Sequence, residues 1–106
     1  HVMVCLHHCP IEVGSAWLDA VGLDDGAELL DLVKQYPRVR AVVCGHIHQE
    51  LDAVRHGVRL LGPPSTCYQF MPGSKRFTLD ERASGYRTLR LFEDGHIETR
   101  VGRVDS

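Results

Sequence analysis

The sequence predicts an α/β fold in which a β-α-β unit is followed by antiparallel hairpins. Two short apolar runs, Val2–Leu6 and Val39–Cys44, have the composition of strands that lie inside a sheet. Between them lies a segment whose apolar residues recur at helical spacing and stop at Pro37. Beyond them, two pairs of alternating segments each flank a dipeptide that ends in glycine, which is the pattern of a β-hairpin.

The composition is that of an ordinary soluble globular protein. The chain has 106 residues, of which 43% are hydrophobic and 25% charged, and its net charge is −2. It contains no basic run, so we expect neither a nucleic acid nor a membrane as a partner. The four cysteines form neither a Cys-x-x-Cys pair nor a dense disulfide spacing, which indicates a reducing, cytoplasmic location.

The first strand is predicted to end before Pro10, because proline cannot continue a hydrogen-bonded ladder. The unbroken apolar run predicts a strand that is covered on both faces. Cys5 in this run and Cys44 in the second run are therefore expected in the core. Residues 11–23 are predicted to form a loop with about one helical turn, in which Trp17 is a lid or a core anchor.

A helix over residues 26–36 is predicted to connect the two strands. Asp24 or Asp25 is placed to cap it, and Glu28 is the expected capping-box partner. A helix that crosses over in this way makes the two strands parallel, and the connection is expected to be right-handed.

Two hairpins are predicted after the second parallel strand. His56-Gly57 and Asp94-Gly95 provide their turns, because glycine tolerates the positive φ that two-residue turns require. The strands of the hairpins, and two short strands between them, are expected at 51–55, 58–61, 66–70, 76–79, 86–92 and 96–104. Four arginines alternate with apolar residues in the second hairpin and are expected on its solvated face: Arg87, Arg90, Arg100 and Arg103.

Histidines follow both of the predicted parallel strands. His7 and His8 come directly after the first strand, and Gly45-His46-Ile47-His48 follows the second. Ligands bind outside the carboxyl ends of strands in open α/β sheets, so the two histidine pairs are expected to meet in one site. Gly45 is expected to provide the sharp bend there. Neutral imidazoles suit zinc, iron or manganese, and the alternative is a pair of surface histidines in a turn.

Polar residues that follow the second histidine pair have two interpretations each. Glu50 and Asp52 are either partners that orient His48 or solvated strand residues. Ser65 and Thr66 either line the pocket or are plain loop hydroxyls.

Three motifs together resemble a known enzyme family. His-His-Cys-Pro at 7–10 and Gly-His-Ile-His at 45–48 are similar to the last two metal motifs of the calcineurin-like metallophosphoesterases. With Pro-Ser-Thr-Cys-Tyr-Gln-Phe at 64–70, they resemble the bacterial class III 3',5'-cyclic AMP phosphodiesterases. The resemblance runs over nearly the whole chain, through the closing hairpin.

The resemblance implies that the chain is the C-terminal half of a layered metallophosphoesterase α/β sandwich. It implies two divalent cations of the iron, manganese or zinc class, which polarise the phosphate and stabilise an in-line displacement. His7 and His46 match ligands of one metal, and His48 matches a ligand of the other. His8 matches the second position of its pair and is expected to support the site or to bind substrate. The implied activity is hydrolysis of 3',5'-cyclic AMP to AMP.

The chain departs from the family pattern in the motifs that should precede His7. The family's Asp-x-His, Gly-Asp and Gly-Asn-His motifs cannot be placed, and the sequence contains no asparagine. Asp94-Gly95-His96 has the Asp-x-His spacing, but it lies after the Gly-His-x-His motif and in a predicted turn. We therefore expect residues 1–106 to be a single partial domain without a catalytic residue of its own, with weak or partial metal binding and no meaningful hydrolysis.

Two other functions stay open at this point. The same fold in the parent protein could act on another phosphodiester or on a phosphomonoester. Alternatively, the chain is a non-catalytic metal-binding or interaction module, whose three histidines hold one zinc ion or none. A half-domain exposes apolar strand faces, so we also expect the chain to form homo-oligomers or strand-swapped dimers.

Overall fold

The computed structural model describes residues 1–105. Within that range the chain forms two helices and eight strands, in a mixed α/β arrangement that confirms the predicted fold class. The bounds are β1 Val2–Leu6, α1 Ala16–Asp19, α2 Gly26–Val33, β2 Val39–Cys44, β3 Leu51–Arg55, β4 Val58–Gly62, β5 Gln69–Phe70, β6 Leu79–Asp80, β7 Gly85–Leu91 and β8 Ile97–Arg103. Neither helix in this range is long and apolar enough to cross a membrane. The complete metallophosphoesterase sandwich stays a prediction.

Four strands form the main sheet in the order β1-β2-β4-β3. β1 is parallel to β2, and β2 is parallel to β4, whereas β3 is antiparallel to β4. The predicted β-α-β unit is therefore confirmed, with α2 between β1 and β2 in the chain. The hairpin pattern of β3 and β4 predicts their mutual pairing but not the parallel pairing of β4 with β2.

α2 packs its apolar side against one face of the main sheet. Leu30 and Val33 of the helix form a core cluster with Val42, Val58 and Leu60 of the strands. Leu30 is 1% exposed and Leu60 is 0% exposed. Full burial of a leucine side chain contributes roughly 1.5–3 kcal/mol, so this contact fixes the helix on the sheet.

α2 is shorter than predicted, and the predicted capping box is wrong. The helix ends at Val33, and hydrogen-bonded turns carry the chain on to Tyr36. Asp25 occupies the N-cap position, but its side chain makes no capping hydrogen bond. Its backbone, with φ −101° and ψ 28°, is not in the extended conformation from which a cap side chain reaches the first turn.

The hairpin β3–β4 confirms the turn predicted at His56-Gly57. The φ angles of these residues are 52° and 74°, and two positive values are typical of a type I′ turn. A type I′ turn matches the right-handed twist of strands, so the pairing from Arg55–Val58 to Leu51–Gly62 runs without interruption.

The hairpin β7–β8 covers the other face of the main sheet. Ile97 packs against Ala41 and Leu61, and Leu89 and Met3 lie beside this cluster. The main sheet is therefore enclosed between α2 on one face and the hairpin on the other.

Two of the four arginines predicted on the solvated face of this hairpin instead join it to neighbouring segments. The Arg87 Nε donates a hydrogen bond to the carbonyl oxygen of Gly62 at 3.1 Å. Arg103 forms an ion pair of 2.6 Å with Glu50. Both lie on the inward side of their strands, because alternate residues of a strand face opposite sides and Ile97 shares this side. The other two arginines are exposed, as predicted.

β1 is an edge strand that is covered on both faces only in part: Val4 packs against the cluster on the helix side of the sheet and Met3 against the cluster on the hairpin side. Among the described strands, β1 pairs with β2 alone. Cys5 is exposed and Val2 is 50% exposed, whereas Cys44 of the interior strand is 1% exposed, as predicted. An apolar run indicates a strand but does not say how many neighbours that strand has.

The segments outside the main sheet are short. The predicted helical turn is α1, and Trp17 is a core anchor whose ring contacts those of Phe70 and Phe77, with centroids 4.8 Å and 5.2 Å away. β5 and β6 pair over two residues each and are shorter than the strands predicted at 66–70 and 76–79.

Gly26 is the point at which α2 meets the loop that follows the first histidine pair. A Cβ atom built on Gly26 would overlap the carbonyl oxygen of Pro10 and lie 2.7 Å from its carbonyl carbon. Both contacts are with backbone, which cannot rotate away. The absence of a side chain at Gly26 therefore lets the helix approach the His8-Cys9-Pro10 segment closely.

We expect Gly26→Ala to lower the free energy of unfolding by about 1–3 kcal/mol, as overpacking typically does. In a free helix the same change would stabilise, by about 1 kcal/mol. Urea denaturation measures the difference. Gly22→Ala is the matched control, because a Cβ there meets its nearest neighbour, the Asp19 oxygen, at an ordinary 3.6 Å. Equal effects of the two substitutions would contradict this account.

Candidate metal centre

The parallel pairing of β1 and β2 places the two histidine segments side by side. Leu6 is paired with Cys44 at the ends of the strands. The backbone N–H of Gly45, the next residue, donates to the carbonyl oxygen of His7 at 3.0 Å. The segments that follow β1 and β2 thus leave the sheet side by side. This is the edge at which ligands bind in open α/β sheets.

Three imidazole rings gather at this edge. The ring centroids of His7 and His46 are 5.2 Å apart, those of His8 and His46 are 4.6 Å apart, and those of His7 and His8 are 5.1 Å apart. The structure therefore brings together histidines from both motifs, as predicted. Their role as metal ligands stays a prediction.

The sharp bend of the second motif lies at its histidines and not at Gly45. His46 has a φ of 69° and His48 a φ of 48°, whereas Gly45 has no positive φ. Residues other than glycine rarely adopt the left-handed region, and where they do the surroundings must hold them. The expected role of Gly45 is therefore wrong, and the strain lies at the two predicted ligands.

His46 lies at the centre of the ring cluster. Its Nε2 atom is buried and has no hydrogen-bond partner within the described chain. Burial, followed by the charges of His8, His7 and His48, lowers the pKa of the His46 imidazole from 6.5. The neutral ring therefore has an unused buried nitrogen, which is the chemical state that a metal ligand requires.

His48 contacts other rings than those of the cluster. Its Nδ1 lies 2.9 Å from the carbonyl oxygen of Tyr68. The plane of its ring stacks on Phe70, with 4.2 Å between centroids and 8° between planes. Its own carbonyl oxygen accepts a hydrogen bond from the N–H of Phe70 at 3.2 Å. Three contacts thus hold His48, and all of them come from the segment at 68–70.

A buried serine ties the loops around the site together. The Oγ of Ser15 accepts hydrogen bonds from Nε2 of Gln49 at 3.2 Å and from the N–H of Gly73 at 3.1 Å. Ser15 is 0% exposed and Gln49 is 8% exposed. Because Gln49 directly follows His48, this contact fixes the end of the second motif.

Cys9 and Cys44 lie beneath the histidine segments, in one core cluster with Ile47. The Cys44 thiol hydrogen-bonds to the sulfur of Cys9, which lowers the pKa of Cys9 to about 7 and raises that of Cys44. Cys9 is 3% exposed, so it supports the site from below and does not face it.

The carboxylates after the second motif do not orient His48. Glu50 is paired with Arg103, and Asp52 is paired with Arg59 at 3.1 Å. Of the two interpretations, the one that makes them partners of His48 is therefore wrong. Ser65 Oγ accepts a hydrogen bond from the N–H of Cys67 at 2.9 Å, which is a local turn contact.

Within residues 1–105, no group of three or more histidine, cysteine, aspartate or glutamate side chains is arranged so that it could hold a metal ion. The arrangement in which His7, His46 and His48 alone hold one zinc ion therefore has no counterpart in this conformation. The side chains that gather here are imidazoles, and no carboxylate converges on them among the described residues.

Phe70 and the carbonyl group of Tyr68 are the site residues that sequence reasoning missed. Both belong to the segment at 64–70, in which the sequence points to Ser65 and Thr66 as candidate pocket residues but not to these two. The signal that points to them is proximity in the fold: Phe70 lies 22 positions after His48 in the chain, and neither residue type nor spacing predicts their stacking.

No family model matches the chain, but it is similar to several bacterial phosphodiesterases. It is 52% identical to the 3',5'-cyclic adenosine monophosphate phosphodiesterase CpdA of Pseudomonas aeruginosa, over 98% of this chain and 38% of the relative. It is 47% identical to the protein of the same name from Escherichia coli (strain K12), with the same coverage. It is 44% identical to the 3',5'-cyclic-nucleotide phosphodiesterase alr5338 of Nostoc sp., over 96% of this chain and 38% of the relative.

The chain spans less than two fifths of the length of these curated relatives. The three motifs predict that the chain is the C-terminal portion of a bacterial class III 3',5'-cyclic AMP phosphodiesterase. These matches confirm that prediction.

We expect the stability of the folded chain to fall as the pH drops below 6.5, in part because of His46. The folded state holds this imidazole neutral, so the unfolded chain takes up a proton first, and acid favours unfolding. Urea denaturation at about pH 7.5 and about pH 5.5 tests this. His46→Gln should shrink the difference between the two conditions, whereas His96→Gln, in the β7–β8 turn, should not. An unchanged difference in His46→Gln would refute the role of His46.

Proposed function

We propose that this chain, recognised as part of a bacterial class III cyclic AMP phosphodiesterase, provides histidine ligands of a binuclear metal centre in a parent that hydrolyses 3',5'-cyclic AMP to AMP. The names of the relatives, 3',5'-cyclic adenosine monophosphate phosphodiesterases, support the reaction and the substrate. The observation that carries the metal assignment is the cluster of His7, His8 and His46, in which His46 Nε2 is buried without a partner. A buried polar atom without a partner is costly unless something binds it.

The chemistry of the donors fits divalent cations of the iron, manganese or zinc class. His7 and His46 are the proposed ligands of one cation and His48 that of the other. His48 donates its Nδ1–H to a backbone carbonyl, which is the support that metal-binding histidines usually have. When bound, the two cations would neutralise the charge of the phosphodiester and activate the attacking water.

His8 is the proposed substrate-facing residue. It is exposed, and its ring lies 4.6 Å from that of His46. A ring N–H at this position is placed to donate a hydrogen bond to a phosphate oxygen that approaches from the solvent.

We also propose that residues 1–106 form one partial domain and that the chain by itself does not hydrolyse phosphoesters. Three proposed ligands are too few for two cations, and no ligand group is assembled within residues 1–105. The four free cysteines suit a parent that works in the reducing cytoplasm.

The parent should hydrolyse 3',5'-cyclic AMP in the presence of Mn²⁺ and prefer it to the 2',3' isomer. His46→Ala should lower kcat/KM by at least about 100-fold, since even the loss of a residue that supports a ligand costs about 10–100-fold. The measurement is AMP release by the purified parent, with His96→Ala as the matched control. The present chain, assayed alone, should release no AMP above background.

Each other outcome selects a different function. Equal or better turnover of other phosphodiesters or phosphomonoesters would keep the metallophosphoesterase and remove the cyclic AMP assignment. No hydrolysis of any ester, with metal present, would leave a non-catalytic metal-binding or interaction module. Full activity of the present chain alone would overturn the proposal that it is a partial domain.

We expect the isolated chain to self-associate, since β1 pairs on one side only among the described strands and Val2 is 50% exposed. An open strand edge is a template for pairing with a second copy. Light scattering during size exclusion, over a range of protein concentrations, measures the mass. A mass that stays monomeric at the highest concentration would contradict the expectation.

A further inference from the structure

We propose that Phe70 is a positioning residue for His48: its ring and the adjacent Tyr68 carbonyl fix the plane and the tautomer of this imidazole. The proposal assigns a role to the segment 64–70. It rests on the proposed function only in so far as His48 is a metal ligand.

The tautomer follows from the chemistry of the Tyr68 carbonyl. A carbonyl oxygen accepts hydrogen bonds and cannot donate one, and it lies 2.9 Å from His48 Nδ1. The proton of the neutral ring is therefore on Nδ1, and the lone pair is on Nε2, at the far side of the ring. Without this contact, both tautomers of the imidazole would be accessible.

The plane of the ring follows from the stack on Phe70. The two rings are nearly parallel, at 8°, with 4.2 Å between centroids. Rotation of the imidazole about its Cβ–Cγ bond would drive its edge into the phenyl ring. The Phe70 N–H also donates to the carbonyl oxygen of His48, which helps to hold the positive φ of that residue.

Phe70 is itself held rigidly. It is 8% exposed, and its ring contacts those of Trp17 at 4.8 Å, Phe77 at 5.4 Å and Tyr68 at 5.7 Å. A stacking partner that is packed on its other sides cannot follow the imidazole if it rotates. The constraint on His48 thus comes from the core and not from a mobile side chain.

Gln69 folds the segment so that both contacts occur together. Its Oε1 accepts a hydrogen bond from the N–H of Ser65 at 2.9 Å, and its Nε2 donates to the carbonyl oxygen of Ser65 at 2.8 Å. Gln69 is 2% exposed, so these contacts close the loop from inside. The loop then presents one carbonyl group and one ring to His48.

The test uses the full-length parent, with residues numbered as here and metal removed for the first measurement. Nitrogen-15 NMR of the imidazoles in the wild type should show His48 as the Nδ1–H tautomer. An Nε2–H tautomer in the wild type would overturn the proposal without any variant. This measurement needs neither metal nor activity, so it separates failure of this proposal from failure of the proposed function.

Phe70→Met keeps an apolar side chain that fills most of the site but removes the flat ring. Without the stack the imidazole can rotate away from the Tyr68 carbonyl, so this variant should give a mixture of His48 tautomers. Mn²⁺ binding, measured by calorimetry, should be about tenfold weaker, with kcat recovered at saturating Mn²⁺. Phe70→Tyr should restore the Nδ1–H tautomer. Phe77→Met is the matched control: Phe77 packs on Phe70 and Trp17 but does not stack on His48, so this variant should change both readouts clearly less than Phe70→Met does.

Phe70→Met with a wild-type tautomer and wild-type Mn²⁺ affinity would overturn the proposal. So would equal losses in Phe70→Met and Phe77→Met, because they would mean that general packing of the aromatic residues, and not the stack on His48, matters.

Discussion

The parallel pairing of β1 with β2 is the constraint on which the histidine cluster depends. Its register sets Leu6 opposite Cys44, so the segments that carry His7 and His46 leave the sheet at the same level. A slip of one residue would move one segment by about 3.3 Å and turn its side chains to the other face. The proposed metal site would tolerate ligand displacements of only about 0.2 Å, so it would need a firmly specified register. The helix and hairpin on opposite faces of the sheet provide that specification.

The two histidine groups are supported in different ways. His46 lies among other imidazoles and over the buried Cys9–Cys44 contact, where burial keeps its ring neutral. His48 is held by a backbone carbonyl and a phenyl ring from a loop that follows much later in the chain. Both residues have positive φ, which costs free energy of order 1–3 kcal/mol each. Such conformations persist because contacts on several sides leave the chain no relaxed alternative.

Features that depend on local chemistry could be predicted from the sequence, and features that depend on a distant partner could not. The turn at His56-Gly57 follows from two adjacent residues, and the meeting of the two histidine pairs follows from the parallel connection. Cys5 was placed in the core wrongly, because burial of an edge strand depends on a neighbour that its own sequence does not describe. The solvated position expected for Arg87 is wrong, because two of its acceptors, the carbonyl oxygens of Gly62 and Leu51, belong to the main sheet. The stack of His48 on Phe70 joins two loops, and no periodic pattern links loops.

The proposed two-cation centre would need more negative charge than the histidines of this chain can supply. In two-metal sites the ions lie about 3.5–4 Å apart, and two unit charges 4 Å apart repel by about 4 kcal/mol at an effective dielectric constant of 20. For two divalent ions the repulsion is four times larger. Neutral imidazoles bind such ions but do not offset their charge, which requires carboxylates. The carboxylates nearest in sequence, Glu50 and Asp52, are already paired with Arg103 and Arg59. In the proposed two-cation centre this chain would contribute positioned imidazoles, and further carboxylates would have to supply the balancing negative charge.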